Sequence, residues 1–252
     1  MMVMKTLQKV GGISALLCAA TYIQAMVLLT TVLAPMANEA MTFDQFITLF
    51  LPNQTLIFIW HFAMYLVNGV FLALLILALT ERLKTGARTL ALAAACFGLL
   101  WTGLVFADGF ITLYGWETIG KLSSTDPAQA ALLRLAVDTV TIGLDHADRF
   151  LGCLWVLLTS WAALRTAQLA KPLNYLGLVI GMAGIVSSVA PTLNALGYAF
   201  GVGIIVWWLW LGIVLLLRPM VIEKGFKPGY DAAGEAVAPQ PRVAADVAPL
   251  RP

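Results

Sequence analysis

Four ionisable side chains crowd into five positions at the start of an apolar run. In "GLDHADRFLGCLWVLLTSWAAL", residues 143–164, Asp145, His146, Asp148 and Arg149 stand directly before the apolar stretch from Phe150 to Leu164. At 1.5 Å per residue that stretch reaches about 22 Å, short of the roughly 30 Å of bilayer hydrocarbon. A crossing helix must therefore draw in residues before Phe150. That sets Arg149 and Asp148 inside the edge of a bilayer, with Asp145 and His146 near the headgroups. Charges at such depth face protein or a water-filled cavity rather than lipid. Asp145 and Arg149, four apart, can pair on one helix face.

Other segments bring polar groups to the same level. His61 is followed on its own face by Tyr65 and Asn68, and Asp108 closes a later apolar segment; Ser187 and Asn194 share a face near the end of another. Two roles compete for this set. In the first, Asp145 with Arg149, and Asp148 with His146, form a satisfied network that fixes the helices. In the second, the groups line an outward-facing pocket for a small molecule. The metal reading uses His61, His146 and Asp108 as a mixed His/carboxylate set, but no H-E-x-x-H spacing accompanies them. The same two histidines could instead be axial ligands to a b-type haem. A Ser-His-Asp hydrolase would need Ser187 or Ser188 beside a histidine.

The elements that must position these groups follow from composition. The 252 residues are 61% hydrophobic and 11% charged, against roughly 25% charged in soluble domains. Lipid is the expected solvent. A net charge of +2 without a dense basic patch excludes a nucleic-acid partner. Cys18, Cys96 and Cys153 sit singly in apolar segments and suggest neither a disulfide framework nor a Cys-x-x-Cys centre.

Six segments are long enough to cross, near 12–34, 55–79, 89–111, 144–164, 173–194 and 197–217. The first exceeds the 7–15 apolar residues of a signal peptide and reads as retained. Twelve of the fifteen Lys and Arg residues fall on one side of this arrangement, leaving Lys121, Arg134 and Arg149 on the other. The positive-inside rule then predicts that both termini are cytoplasmic. The expectation is an all-α polytopic membrane protein, a six-helix domain over 1–222 with a disordered cytoplasmic tail over 223–252.

Both long connections, 35–54 and 112–143, face outward in this arrangement. Phe43, Phe46, Ile47 and Phe50 recur at helical spacing and predict a short interfacial helix. Asp126-Pro127 with Gln129 predicts a helix start in the second connection, running toward the fourth segment and bending at Gly143. Gly177, Gly181 and Gly184 in the fifth segment, and Gly197 and Gly201 in the sixth, read as close-packing positions. Trp207, Trp208 and Trp210 lie within the sixth segment rather than at its ends, so part of that set is expected to be buried or to face a partner.

The opening "GGISALLCAATYIQAMVL" and the closing "WWLWLGIVLLLRP" resemble the ends of a family of bacterial six-helix inner-membrane proteins of unknown function, over roughly residues 10–220. The resemblance implies a bacterial inner-membrane location and six helices; it supplies no catalytic residues. Three functions are carried forward. The leading one is small-molecule binding or transport at a pocket between helices 2–5, needing no cofactor. The second is a non-catalytic subunit or assembly factor, held to another membrane protein through the Gly and Trp faces of helices 5 and 6. The third, less favoured, is a metal- or haem-dependent enzyme.

Overall fold

The structure, a computed structural model, describes residues 2–37 and 41–217, without the side chains of 2–5, 37, 191 and 194. Six α-helices follow in order: α1 Met2–Thr30, α2 Phe43–His61, α3 Asn68–Leu122, α4 Pro127–Thr166, α5 Lys171–Val189 and α6 Asn194–Leu217. A π-helical turn, Phe62–Val67, joins α2 to α3, and short 3-10 turns sit at Ala34–Ala37 and Pro191–Leu193. Among the described residues five stretches are long and apolar enough to cross a membrane, Thr6–Thr30, Phe43–Leu122, Pro127–Thr166, Lys171–Val189 and Ala195–Leu217. The chain is a helical membrane protein. The expected second and third segments fall together within Phe43–Leu122, and the tail expected over 223–252 lies outside the described residues.

The helix α3 is a hairpin in space. Ala87 leaves helical geometry (φ −145°, ψ 54°), and the two arms return along each other. A Cβ added to Gly98 would stand 2.9 Å from Ile76 Cδ1, and one on Gly69 would stand 2.8 Å from Phe106 Cε1. These pairs sit at matching distances in sequence on either side of Ala87, and no straight helix could bring them together. The first turns of α1 meet the last turn of α6, where Gln8 Nε2 donates to Leu215 O at 2.6 Å. Buried Arg82 donates through Nη2 to Gln168 O at 2.8 Å, tying the bend to the α4–α5 connection.

Packing within the bundle relies on small residues and indoles. Without a hydrophobic driving force between helices in lipid, close approach supplies the contact energy. Gly177 lies against Ser160 and Trp207, and Gly184 lies against Cys153 and Phe200. Trp101, Trp155, Trp207 and Trp208 are all buried, with Trp101–Trp155 and Trp155–Trp207 centroids both 5.6 Å apart. Of the tryptophans in the sixth segment, Trp207 and Trp208 are core, whereas Trp210 is 37% exposed.

Several helices outrun the apolar segments that mark them. The third was expected to stop at 111 and continues to Leu122, while α4 begins at Pro127 as the helix expected there, so the connection over 112–143 is helix except at 123–126. The separate interfacial helix expected at 43–50 is instead the start of α2. Polar pairs on one helix face sustain these extensions. Lys121 Nζ meets Glu117 Oε1 at 2.5 Å, and Arg134 Nε meets Asp138 Oδ2 at 3.1 Å. No break occurs at Gly143.

At forty residues, α4 is about 60 Å long, twice the hydrocarbon thickness. The ends of α2, α3 and α4 form a lobe with a core of its own, including Phe46, Phe50, Ile57, Ile119 and Val137. Arg134 binds the lobe together. Its guanidinium lies 4.0 Å from the Phe46 ring centroid, and Nη1 donates to Thr42 O at 3.2 Å.

The expected helix start at Asp126 is present: Asp126 Oδ1 accepts from Gln129 N at 3.0 Å, with Pro127 in the first turn. Asp126→Ala should cost about 1 kcal/mol, read as a lower melting temperature with unchanged helix content. An unchanged melting temperature would show that this helix end frays without consequence.

Candidate functional site

The ionisable stretch on α4 borders a cavity of about 190 Å³. Asp145, Asp148 and Arg149 form one side, and Tyr65 and Met64, on the π-helical turn, form another. Trp101 and Val105 on the second arm of α3 close the inner wall. Tyr22 on α1 and Gly197, Phe200 and Gly201 on α6 complete it. A π-turn carries one more residue than regular helix and commonly accompanies functional sites. Here it sets Met64 and Tyr65 into the wall.

Polar contacts order the carboxylates. Arg149 Nη2 pairs with Asp145 Oδ2, as the i, i+4 spacing predicts. Asp108 is buried and hydrogen-bonded to Tyr65 and to Thr112, whose Oγ1 lies 3.5 Å from Asp108 Oδ1. Asp108, Asp145 and Asp148 lie within electrostatic reach of one another. Asp145 and Asp148 therefore share one guanidinium, with the Asp108 carboxyl group near them.

The remaining expected residues stand elsewhere. His61 is buried among Trp60, Tyr65 and Trp116, with ring centroids 4.3, 5.5 and 4.8 Å away. Its Nδ1 donates to Ile57 O at 3.1 Å; since a carbonyl only accepts, the proton sits on Nδ1. Asn68 bridges helices, donating through Nδ2 to Thr21 Oγ1 at 2.8 Å. Ser187 is buried and donates to Gly184 O at 2.9 Å within its own helix. His146 is half-buried, and its Nδ1 has no hydrogen-bond partner among the described residues. Asn194 begins α6, but its side chain lies outside the described ones.

Four expectations change accordingly. The cavity lies between α1, the π-turn, α3, α4 and α6, whereas helices 2–5 were expected; α5 contributes no wall residue. Gly201, expected as a packing glycine, faces open space, since a Cβ there would meet nothing within 4 Å. Among the described residues, no three His, Cys, Asp or Glu side chains gather as a metal set, so His61, His146 and Asp108 do not form one. Neither histidine borders the cavity, so they do not face a haem there together.

Sequence reasoning passed over Tyr22, Trp101, Val105 and Phe200. In an apolar helix, a wall residue and a core residue are the same residue types, and only neighbouring helices separate them. The readable signal was indirect: glycines four apart on α6 with no partner glycines to meet.

Comparison with known proteins gives one family and no activity. No curated protein matches this chain, and no solved structure matches it. Residues 10–218 match the family model described as "Domain of unknown function (DUF4386)". With most of its length matched, and with the membrane-spanning helices that its sequence predicts, the chain belongs to this family of unknown function.

Proposed function

We propose that this protein crosses the bilayer six times and binds a small molecule in the cavity beside Asp148, as a binding or transport protein. The single observation that carries the reading is the cavity itself. The charged stretch of α4 borders a partly open cavity rather than a filled network, the arrangement that intramembrane charge takes at functional sites.

The six crossings rest on length and on the bend at Ala87. The eighty residues of Phe43–Leu122 would extend about 120 Å as one helix, and folding at Ala87 divides them into two crossings. Lys9, Arg82, Lys84, Arg88, Arg165 and Lys171 stand toward the end of the bundle that holds the bend. By the positive-inside rule that end is cytoplasmic, and both termini with it. The lobe then faces outward. The resemblance of the chain's ends supports a bacterial inner membrane as its location.

The subunit reading has less support. It needed the Gly and Trp faces of helices 5 and 6 free for a partner, yet Gly177, Gly181, Gly184 and Gly197 meet residues of this same chain and Trp207 and Trp208 are buried, which leaves Gly201 and Trp210.

A Gly201→Cys variant in a Cys96→Ala background tests the cavity, because Cys18 and Cys153 are buried. The new thiol is expected to react with a small water-soluble methanethiosulfonate. In sealed vesicles it should react only from the face opposite Arg82 and Arg88. A thiol that reacts from neither face, but does so after unfolding, would reduce the cluster to a structural network.

A further inference from the structure

We infer that the ligand of this cavity is a small organic cation, a protonated primary or secondary amine with a short apolar body. The inference rests on the cavity reading above and assigns its ligand class. Charge is the first argument. Asp145 and Asp148 border the cavity beside Arg149 alone, Arg149 is already engaged with Asp145, and Asp108 adds a third carboxyl group within electrostatic reach. The other basic residues on this half of the molecule are also engaged, Lys121 with Glu117 and Arg134 with Asp138. No described Lys or Arg side chain is left to balance Asp148 and Asp108. Uncompensated carboxylates in low dielectric are costly, and an arriving cation relieves that cost.

The walls choose the kind of cation. Tyr22, Tyr65, Trp101 and Phe200 border the same space. Aromatic faces attract cations through the ring quadrupole and cover apolar substituents at the same time. An inorganic ion would need several oxygen ligands close together, and no three-ligand group forms among the described residues. A carboxylate or phosphate would meet more acid than base. N–H donors suit the carboxyl oxygens of Asp148, which favours a protonated amine over a quaternary one. The volume of about 190 Å³ equals roughly six waters at about 30 Å³ each, which sets the ligand's size.

The test uses the full chain in lipid nanodiscs, with empty nanodiscs as background. 2-Phenylethylamine, 2-phenylethanol and phenylacetate are titrated by calorimetry; they share an aromatic body and differ in charge. The amine is expected to bind saturably, and the alcohol and the acid at least tenfold more weakly. Asp148→Asn should weaken amine binding at least tenfold. Gly201→Leu, which enters open space and so should keep the fold, should abolish it even where Asp148→Asn fails to fold. Equal binding of all three compounds, lost in Gly201→Leu, would overturn the cation assignment and leave the cavity reading standing. If none binds while a thiol at position 201 is still modified, the ligand class falls alone. If that thiol is unreactive as well, both readings fall.

Discussion

Gly98→Leu is expected to leave little folded protein. Gly98 lies where the second arm of α3 meets α4 and the first arm at once. A Cβ there would come within 2.6 Å of Trp155 Cδ1 and 2.9 Å of Ile76 Cδ1. Trp155 and Ile76 are fully buried, and Trp155 is braced in turn by Trp101 and Trp207. The clash therefore passes along the indole cluster instead of relaxing into free space. Overpacking of an ordinary core costs about 1–3 kcal/mol; alanine should fall in that range and leucine beyond it. Thermal melting of detergent-purified protein checks this, with Gly103→Leu as the comparison, since nothing lies within 4 Å of a Cβ at Gly103. Equal melting temperatures for the two leucine variants would refute the close-packing account.

The second large effect concerns Arg149. Arg149→Met should destabilise the protein by about 2 kcal/mol, because carboxylates already in excess lose their sole guanidinium. Asp145→Asn alone should cost less than about 1 kcal/mol, since the Asp145 side chain is 54% exposed and solvent screens its charge. The double variant should then recover part of the loss, giving a coupling energy in a double-mutant cycle. Strict additivity would make the pair a surface bridge with no bearing on the cavity. Ligand-free protein in one fixed detergent is the condition to use, because a bound cation would mask the imbalance.

The apolar runs fall on the five membrane-long stretches, the second and third of them in one, but they did not give the lengths of the helices. An apolar-run criterion sees the part of a helix that lipid solvates, and α3 and α4 continue past it on polar residues such as Glu117, Lys121, Arg134 and Asp138. The start of α2 was legible. Thr42 and Gln45 form a capping box, with Gln45 N donating to Thr42 Oγ1 at 3.3 Å and Thr42 N donating to Gln45 Oε1 at 3.0 Å. The aromatic spacing just after it drew attention to the interface instead. The bend at Ala87 falls in the gap the apolar runs left between 79 and 89, marked by the basic cluster Arg82, Lys84 and Arg88, of which Lys84 and Arg88 are exposed and Arg82 is buried.

At the site, charge was legible and space was not. Asp145, Asp148 and Arg149 announce themselves in an apolar chain, and the cavity they border is formed between helices far apart in sequence. Depth also misled. His61 shares a face with Tyr65, yet its ring fits among Trp60 and Trp116, and it serves the lobe rather than the cavity.

On the six-crossing topology proposed above, the lobe built around the ends of α1, α2, α3 and α4 stands in water, and one chain then carries two cores in two solvents. The bundle gains little from leaving lipid, since lipid tails are as apolar as leucine. The lobe core, around Phe46, Phe50 and Ile57, is held by water's exclusion of apolar surface. Burial from water carries a large heat-capacity change and weakens on cooling. The two halves thus have different thermal signatures: the lobe loosens in the cold and in urea, while the bundle answers to the thickness and composition of its lipid. Asp108 and Tyr65 stand close to where the two meet, so the floor and the roof of the cavity belong to parts of the molecule that temperature and lipid shift independently.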